Sequence, residues 1–251
     1  MPLTLPTHPV VVVLLKRWRP RWFDGVALTT GAIAPDVAFA ADGYGLTIHS
    51  HAWHAPLWWA LPLALVATRL IRWAAPTVAA HLPAGDLLAL RDYGVLGLVR
   101  HRWWVSATSA LVGAASHIGW DAFTHPSVDR GRVAFPVLHT QVWSGVPWWE
   151  FLSTASDVFG FIVGVALLIH IGRSRLLRRW HGSPPSIAPR PVPFWSVVAL
   201  VFILGLALLP MQPVRLFHDQ AVRVMLIAVI ALLAGAGATQ VRTAERGTAT
   251  G

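Results

Sequence analysis

Apolar segments of bilayer-crossing length recur along this chain, and they constrain its fold more than any other feature. A tilted helix of roughly 17–25 residues crosses the hydrocarbon core. Six segments are candidates: 22–41, 55–73, 103–120, 151–171, 194–210 and 221–238. Backbone polar groups inside lipid must pair within their own segment, so such segments are helices. The expectation is an all-α polytopic transmembrane helical bundle of about six membrane segments. The first is interrupted, because it carries Asp24, Gly25, Gly31, Pro35 and Asp36. Interruptions at depth are tolerated only where they are buried in protein or line a wet cavity.

Composition agrees with this class. The chain is 55% hydrophobic and 12% charged, against about 25% charged residues in soluble domains. It has no cysteine, which excludes disulfides and thiolate metal sites. No charged region precedes the short apolar run Pro9 to Leu15, so a removable signal peptide is not expected. Residues 1–240 are expected to form a single integral membrane domain, and 241–251 a disordered tail.

The net charge of +9 does not point to nucleic acid, because the arginines lie between apolar segments rather than along one soluble face. If residues 1–21, 74–102, 172–193 and 239–251 face the cytoplasm, that side with Arg69 and Arg72 holds sixteen of the twenty Lys and Arg. The other side holds Arg130, Arg132, Arg215 and Arg223. The positive-inside rule then puts both termini in the cytoplasm of a multi-pass plasma membrane protein. Tryptophans near span ends, such as Trp22, Trp73, Trp103, Trp148 and Trp195, fit interfacial anchoring. The bilayer is thus the expected partner. The loop 74–102 has room for a short surface helix around Asp86 to Val99.

Within this topology one stretch stands out. Residues 116–126 read S-H-I-G-W-D-A-F-T-H-P, which places His117, Asp121 and His125 at i, i+4 and i+8. On a helix these fall within about 80° of one another. Two imidazoles and a carboxylate on one helical face make half of a metal site. Ionisable groups closing an apolar run are expensive and generally serve a purpose. Asp36, His49, His51, His54, His139 and Asp157 fall on the same outer side, so four parts of the chain bring ligand-type groups to one membrane face. His8 precedes a seven-residue apolar run that covers about 10 Å as a helix. If that run enters as a half-helix, His8 reaches mid-membrane, with Asp36 and Asp157 as neighbours.

Each feature has a plainer explanation beside this one. The 117/121/125 ladder could be a hydrogen-bonded network tying helix ends together. Ala34-Pro35-Asp36 fits a helix restart with aspartate at the positive dipole end. Of the 49–54 histidines, His49 and His51 are favoured as ligands by their His-Ser-His spacing. Asp157 with Ser153 reads first as a capping or interhelical pair, and second as outer support that orients a ligating imidazole. His81, His101, His170, His181 and His218 look incidental.

Several short patterns occur together: Thr7-His8-Pro9, G-x-x-A-P-D at Gly31 to Asp36, His-Ser-His at 49–51, the 116–126 block, and Ser153 to Gly160. Together they resemble the domain-of-unknown-function-4184 family of bacterial integral membrane proteins, over nearly the whole chain to about residue 240. That resemblance implies an integral membrane protein and little chemistry. A looser similarity is to membrane-bound predicted metal-dependent hydrolases. The order His8, Asp36, His49 or His51, His117, Asp121, His125 is also similar to the ligand order of the zinc-dependent phospholipase C and P1 nuclease group. The later H-x-x-x-E of that group is missing, since His139 is followed at i+4 by Trp143. One or two metals are therefore expected rather than three.

The functional expectation is a hydrophilic pocket at the outer membrane face holding one or two divalent ions, with zinc or manganese suited to mixed N/O ligands. Its chemistry would be metal-dependent hydrolysis of a phosphoester, or of a lipid-linked or small-molecule substrate. The alternative is a non-enzymatic small-solute carrier or scaffold that uses the same cluster as an interhelical polar network. A carrier would be expected to show internal repeats and polar groups at mid-bilayer, whereas here they gather at one face.

Overall fold

Proline, aspartate and glycine positions decide where the N-terminal helices begin, end and touch. The computed structural model describes residues 4–126, 135–213 and 216–248. Arg130, Arg132 and Arg215, used above to orient the chain, lie outside the described residues, as do 249–251 of the expected tail. The chain divides into two compact units, Met1–Thr68 with His101–Leu167, and Arg69–Arg100 with Leu168–Gly251.

In the first unit, α1 spans Thr4–Trp18. It covers about 22 Å at 1.5 Å per residue, longer than the seven-residue half-helix expected and still short of a roughly 30 Å core. Lys16 near its end donates from Nζ to the carbonyls of Pro20 and Phe23 at 2.5 and 2.9 Å, fastening the turn that reverses the chain. Asp24 then caps α2, Gly25–Ile33, accepting the N–H groups of Val26 and Ala27 at Oδ1. Such a cap satisfies donors that a helix start otherwise leaves open. Pro35 has no N–H to continue the helical ladder, and the chain passes into a 3₁₀ turn at Asp36–Ala41. The first expected segment is thus interrupted where proline interrupts it.

A π-helical turn at Pro56–Ala60 leads into α3, Leu61–His81. The next long helix, α4, spans Trp103–Thr124. It packs closely on α2 because both faces are made of small residues. A Cβ on Gly31 would fall on the Ala110 carbonyl, and one on Gly113 would fall on that of Leu28. Small residues let helix backbones approach in this way in membranes, where packing replaces the hydrophobic effect. Asp24 ties the same pair at one end: Ser106 Oγ donates to Oδ2 at 2.6 Å, and the Asp24 N–H donates to Ser109 Oγ at 3.0 Å. Thr30 Oγ1 adds a contact to α3, 3.2 Å from the Ala64 carbonyl and 3.0 Å from Thr68 Oγ1. A two-stranded hairpin, β1 (Gln141–Trp143) with β2 (Val146–Pro147), precedes α5, Trp148–Arg173.

The second unit contains the C-terminal part of α3, a 3₁₀ segment Leu90–Gly97, α6 (Leu176–His181), α7 (Pro191–Leu208) and α8 (Phe217–Thr248). The surface helix expected at Asp86 to Val99 takes this shorter 3₁₀ form. Its Asp92 is buried and receives Arg175 Nη1 at 3.1 Å and Arg178 Nε at 2.6 Å. Arg175 also pairs with Asp86. His81 has a structural place here: Nδ1 donates to the Thr77 carbonyl at 2.7 Å, Nε2 accepts the Arg190 N–H at 2.8 Å, and the ring stacks on Phe194.

Four helices among the described residues are long and apolar enough to cross a membrane: Pro56–His81, Trp148–Arg173, Pro191–Met211 and Phe217–Gln240. They match the second, fourth, fifth and sixth expected segments. α4 has the length but carries buried Ser106, Ser109, His117 and Asp121, and it is not among the four. Only 11% of the apolar window of α5 and 6% of that of α7 are buried within the protein, which leaves their apolar faces for lipid.

Candidate metal centre

The first unit gathers its ionisable groups at one place, and the helix directions explain why. α2 and α4 run parallel from the Asp24–Ser106 contact, so their far ends bring Ala32 beside His117. α1 runs the opposite way, which returns His8 to those ends while Lys16 stays near Phe23. The 3₁₀ turn after Pro35 supplies Asp36, and the loop that follows supplies His51. His8, Asp36, His51, His117 and Asp121 are all buried.

Two overlapping sets of three have ligand atoms within 4.8 Å of one another: His8, Asp36 and His117, and His51, His117 and Asp121. His51 Nε2 lies 3.2 Å from Asp36 Oδ1 and 3.3 Å from Asp121 Oδ2. His117 Nε2 lies 3.4 Å from Asp36 Oδ1, 3.6 Å from Asp121 Oδ2 and 3.2 Å from His51 Nε2. His8 Nε2 reaches Asp121 Oδ1 at 3.5 Å, and its ring lies over that of His117 with centroids 3.9 Å apart.

Groups outside the cluster orient the imidazoles. His117 Nδ1 is 2.7 Å from the Ala32 carbonyl. A carbonyl only accepts, so Nδ1 carries the proton, and in the neutral ring Nε2 presents its lone pair to the carboxylates. His51 Nδ1 is 3.0 Å from the buried Ser50 hydroxyl, so its Nε2 also turns inward. Metal-binding histidines are typically held in this way by a hydrogen bond to the other ring nitrogen. Ser50 and the Ala32 carbonyl escaped the sequence reading. The central residue of His-Ser-His could have signalled the first; a backbone carbonyl leaves no signal.

The remaining candidates fall at different distances from the cluster. The i, i+4, i+8 ladder assumes a helix through residue 125, but α4 ends at Thr124 and His125 is extended (φ −128°, ψ 140°) ahead of Pro126. A residue before proline is pushed away from helical geometry. His125 consequently turns back, with Nδ1 3.4 Å from Asp121 Oδ1 and 3.1 Å from Thr124 Oγ1, and it stays 17% exposed. His49 and His54 are exposed in the loop, where His54 accepts the Trp58 indole N–H at 2.9 Å. His139 is exposed ahead of the hairpin. Ser153 is buried on α5, and one turn later Asp157 has its Oδ1 enclosed without a hydrogen bond. Asp157 belongs to neither three-residue set.

Residues 1–241 match the family described as Domain of unknown function (DUF4184). The chain belongs to that family. Neither a curated protein nor a solved structure matches it. The match spans both units and contains every member of the buried cluster, so the cluster lies within the family's own extent. Membership carries no activity with it, and any chemistry must be argued from the side chains.

Proposed function

We propose that the five buried residues bind a divalent metal ion, and that this DUF4184 protein is a metal-dependent hydrolase of a phosphoester or other lipid-linked substrate. The observation that carries the metal reading is the spacing of the ligand atoms. Two ligands each about 2.0–2.1 Å from a tetrahedral ion stand about 3.3–3.4 Å apart. The Nε2–Oδ separations of His51 and His117 run from 3.2 to 3.6 Å. Direct charge-assisted N–H···O bonds are shorter, about 2.7–2.9 Å. The inward Nε2 atoms and two carboxylates suit zinc or manganese. Such an ion would supply an activated water and polarise a scissile bond.

A second reading is a hydrogen-bonded scaffold, favoured by the close overlap of the His8 and His117 rings. Elemental analysis of detergent-purified protein, prepared without chelators, separates the two. Wild type should carry stoichiometric metal, and well-folded His117→Ala and Asp121→Ala variants should lose it. Well-folded wild type without metal would overturn the proposal.

The orientation belongs to the same proposal: both termini cytoplasmic in the plasma membrane, with the cluster toward the outer face, as the arginine distribution supports. The chain has no cysteine, so a cysteine introduced at exposed Tyr44 reports its side alone. It should react with an impermeant thiol reagent in intact cells. Reaction only after lysis would reverse the orientation.

A further inference from the structure

His8 has a second environment. It also lines a cleft of about 240 Å³ formed by α1, α4 and α5. Leu14 lines it from α1, Trp120 from α4, and Phe159 and Val163 from α5. Trp120 donates its indole N–H to Ser156 Oγ at 2.8 Å, pinning α4 to α5 at the edge of the cleft. The walls are otherwise almost wholly apolar, and His8 is the one ionisable group among them.

The position of the cleft identifies its occupant. α5 is one of the helices long and apolar enough to cross the bilayer, and little of it is buried within the protein. Phe159 is 70% exposed, and the outward face continues through Val158, Phe161, Ile162 and Val165. The cleft is therefore an inlet in a surface that meets hydrocarbon. A soluble substrate would have no route to it, and an apolar wall offers a polar head group nothing. The Nε2 of His8 is 3.5 Å from Asp121, so one side chain that lines the apolar inlet also joins the polar cluster.

We infer that this cleft takes a hydrocarbon chain of a membrane lipid, entering sideways from the bilayer with its polar linkage directed to His8. The inference rests on the hydrolase reading above and narrows its substrate to lipids whose chain stays in the membrane. The acyl or polyisoprenyl tail lies along Leu14, Phe159 and Val163, and the linkage between tail and head group meets the cluster at its His8–Asp121 edge.

The test uses full-length protein in phosphatidylcholine vesicles containing a small fraction of phosphatidylcholine with a diazirine in one acyl chain. After irradiation, adducts are mapped by mass spectrometry. Labelling at Leu14, Trp120 and Val163 is expected to exceed labelling along the exposed face of α7 several-fold. Val163→Trp and the milder Gly160→Leu both fill the cleft and should bring that labelling down to the α7 level, with metal content unchanged. Cleft labelling no higher than on α7 in wild type, or unaltered in both variants, would overturn the inference and leave the metal proposal standing. Conversely, strong cleft labelling in a protein without metal would sink the hydrolase reading alone. A Leu14→Cys variant covers the remaining occupant: if a second copy fills the cleft, oxidation will yield a disulfide-linked dimer, and that result also overturns the inference.

Discussion

The Nδ1 atom of His117 donates to the carbonyl oxygen of Ala32 across 2.7 Å, joining residues 85 positions apart in sequence. This bond turns Nε2 of His117 toward Asp36 and Asp121, so the packing of α2 on α4 sets the chemistry of the cluster.

Replacing His117 with Gln separates ligation from packing. Glutamine can still hydrogen-bond, so His117→Gln should keep the fold and lower metal affinity by more than about 100-fold, since even outer partners of metal ligands contribute 10–100-fold. Metal-competition titration with circular dichroism reads both quantities. Undiminished affinity would place His117 in a hydrogen-bonded network instead.

Ser50 should act through His51. Ser50→Ala removes the hydroxyl 3.0 Å from His51 Nδ1 and should weaken metal binding about 10–100-fold, while Ser50→Thr restores most of it. Equal affinity in wild type and Ser50→Ala would exclude the positioning role.

The α2–α4 contact predicts opposite outcomes for two glycines. Gly31→Ala drives a methyl onto the Ala110 carbonyl and should destabilise by about 1–3 kcal/mol, shifting Ala32 away from His117 and lowering metal content. Gly119→Ala, on the same helix as Ala110 but meeting nothing within 4 Å, should be neutral or stabilising by up to about 1 kcal/mol. Thermal unfolding in detergent distinguishes them, and equal losses would contradict the close backbone approach.

Asp24 predicts a loss of stability remote from the cluster. Asp24→Ala removes a helix cap and leaves Ser106 without its buried acceptor. A lost cap alone costs about 0.5–2 kcal/mol, and an orphaned buried donor adds about 1–3 kcal/mol. A melting temperature within a degree of wild type would refute this account.

Segment positions were legible in the sequence because length and hydropathy express one requirement, self-satisfied backbone in hydrocarbon. The same measures counted α4 as a span; its buried serines, His117 and Asp121 face other helices, and it is not among the four apolar helices of the described residues. Of the site, the pairing of Asp36 with His117 and Asp121 was foreshadowed by topology, since each lies near the same end of its segment. The division among His49, His51 and His54 was not, because loop turns decide which imidazole points inward. His125 leaves the helical ladder for a local reason, the proline that follows it, yet stays beside Asp121. Asp24 read as an interruption; it caps α2 through the neighbouring N–H groups of Val26 and Ala27, and its tie to α4 emerges only once Ser106 and Ser109 stand opposite.

The closure of α2 by α4 also has a consequence for how the chain is made. Asp24 meets Ser109, and Ala32 meets His117, each across 85 positions. At about 5–20 residues per second, roughly 4–17 s separate the synthesis of α2 from that of its partner helix. During this interval a nine-residue helix, with Asp24 at one end and Asp36 just past the other, has no α4 to shield its carboxylates. Hydrocarbon takes up such a helix only at a cost. Strict head-to-tail insertion is therefore disfavoured, and the first helices are expected to stay at the interface, or in the insertion machinery, until the middle of the chain arrives.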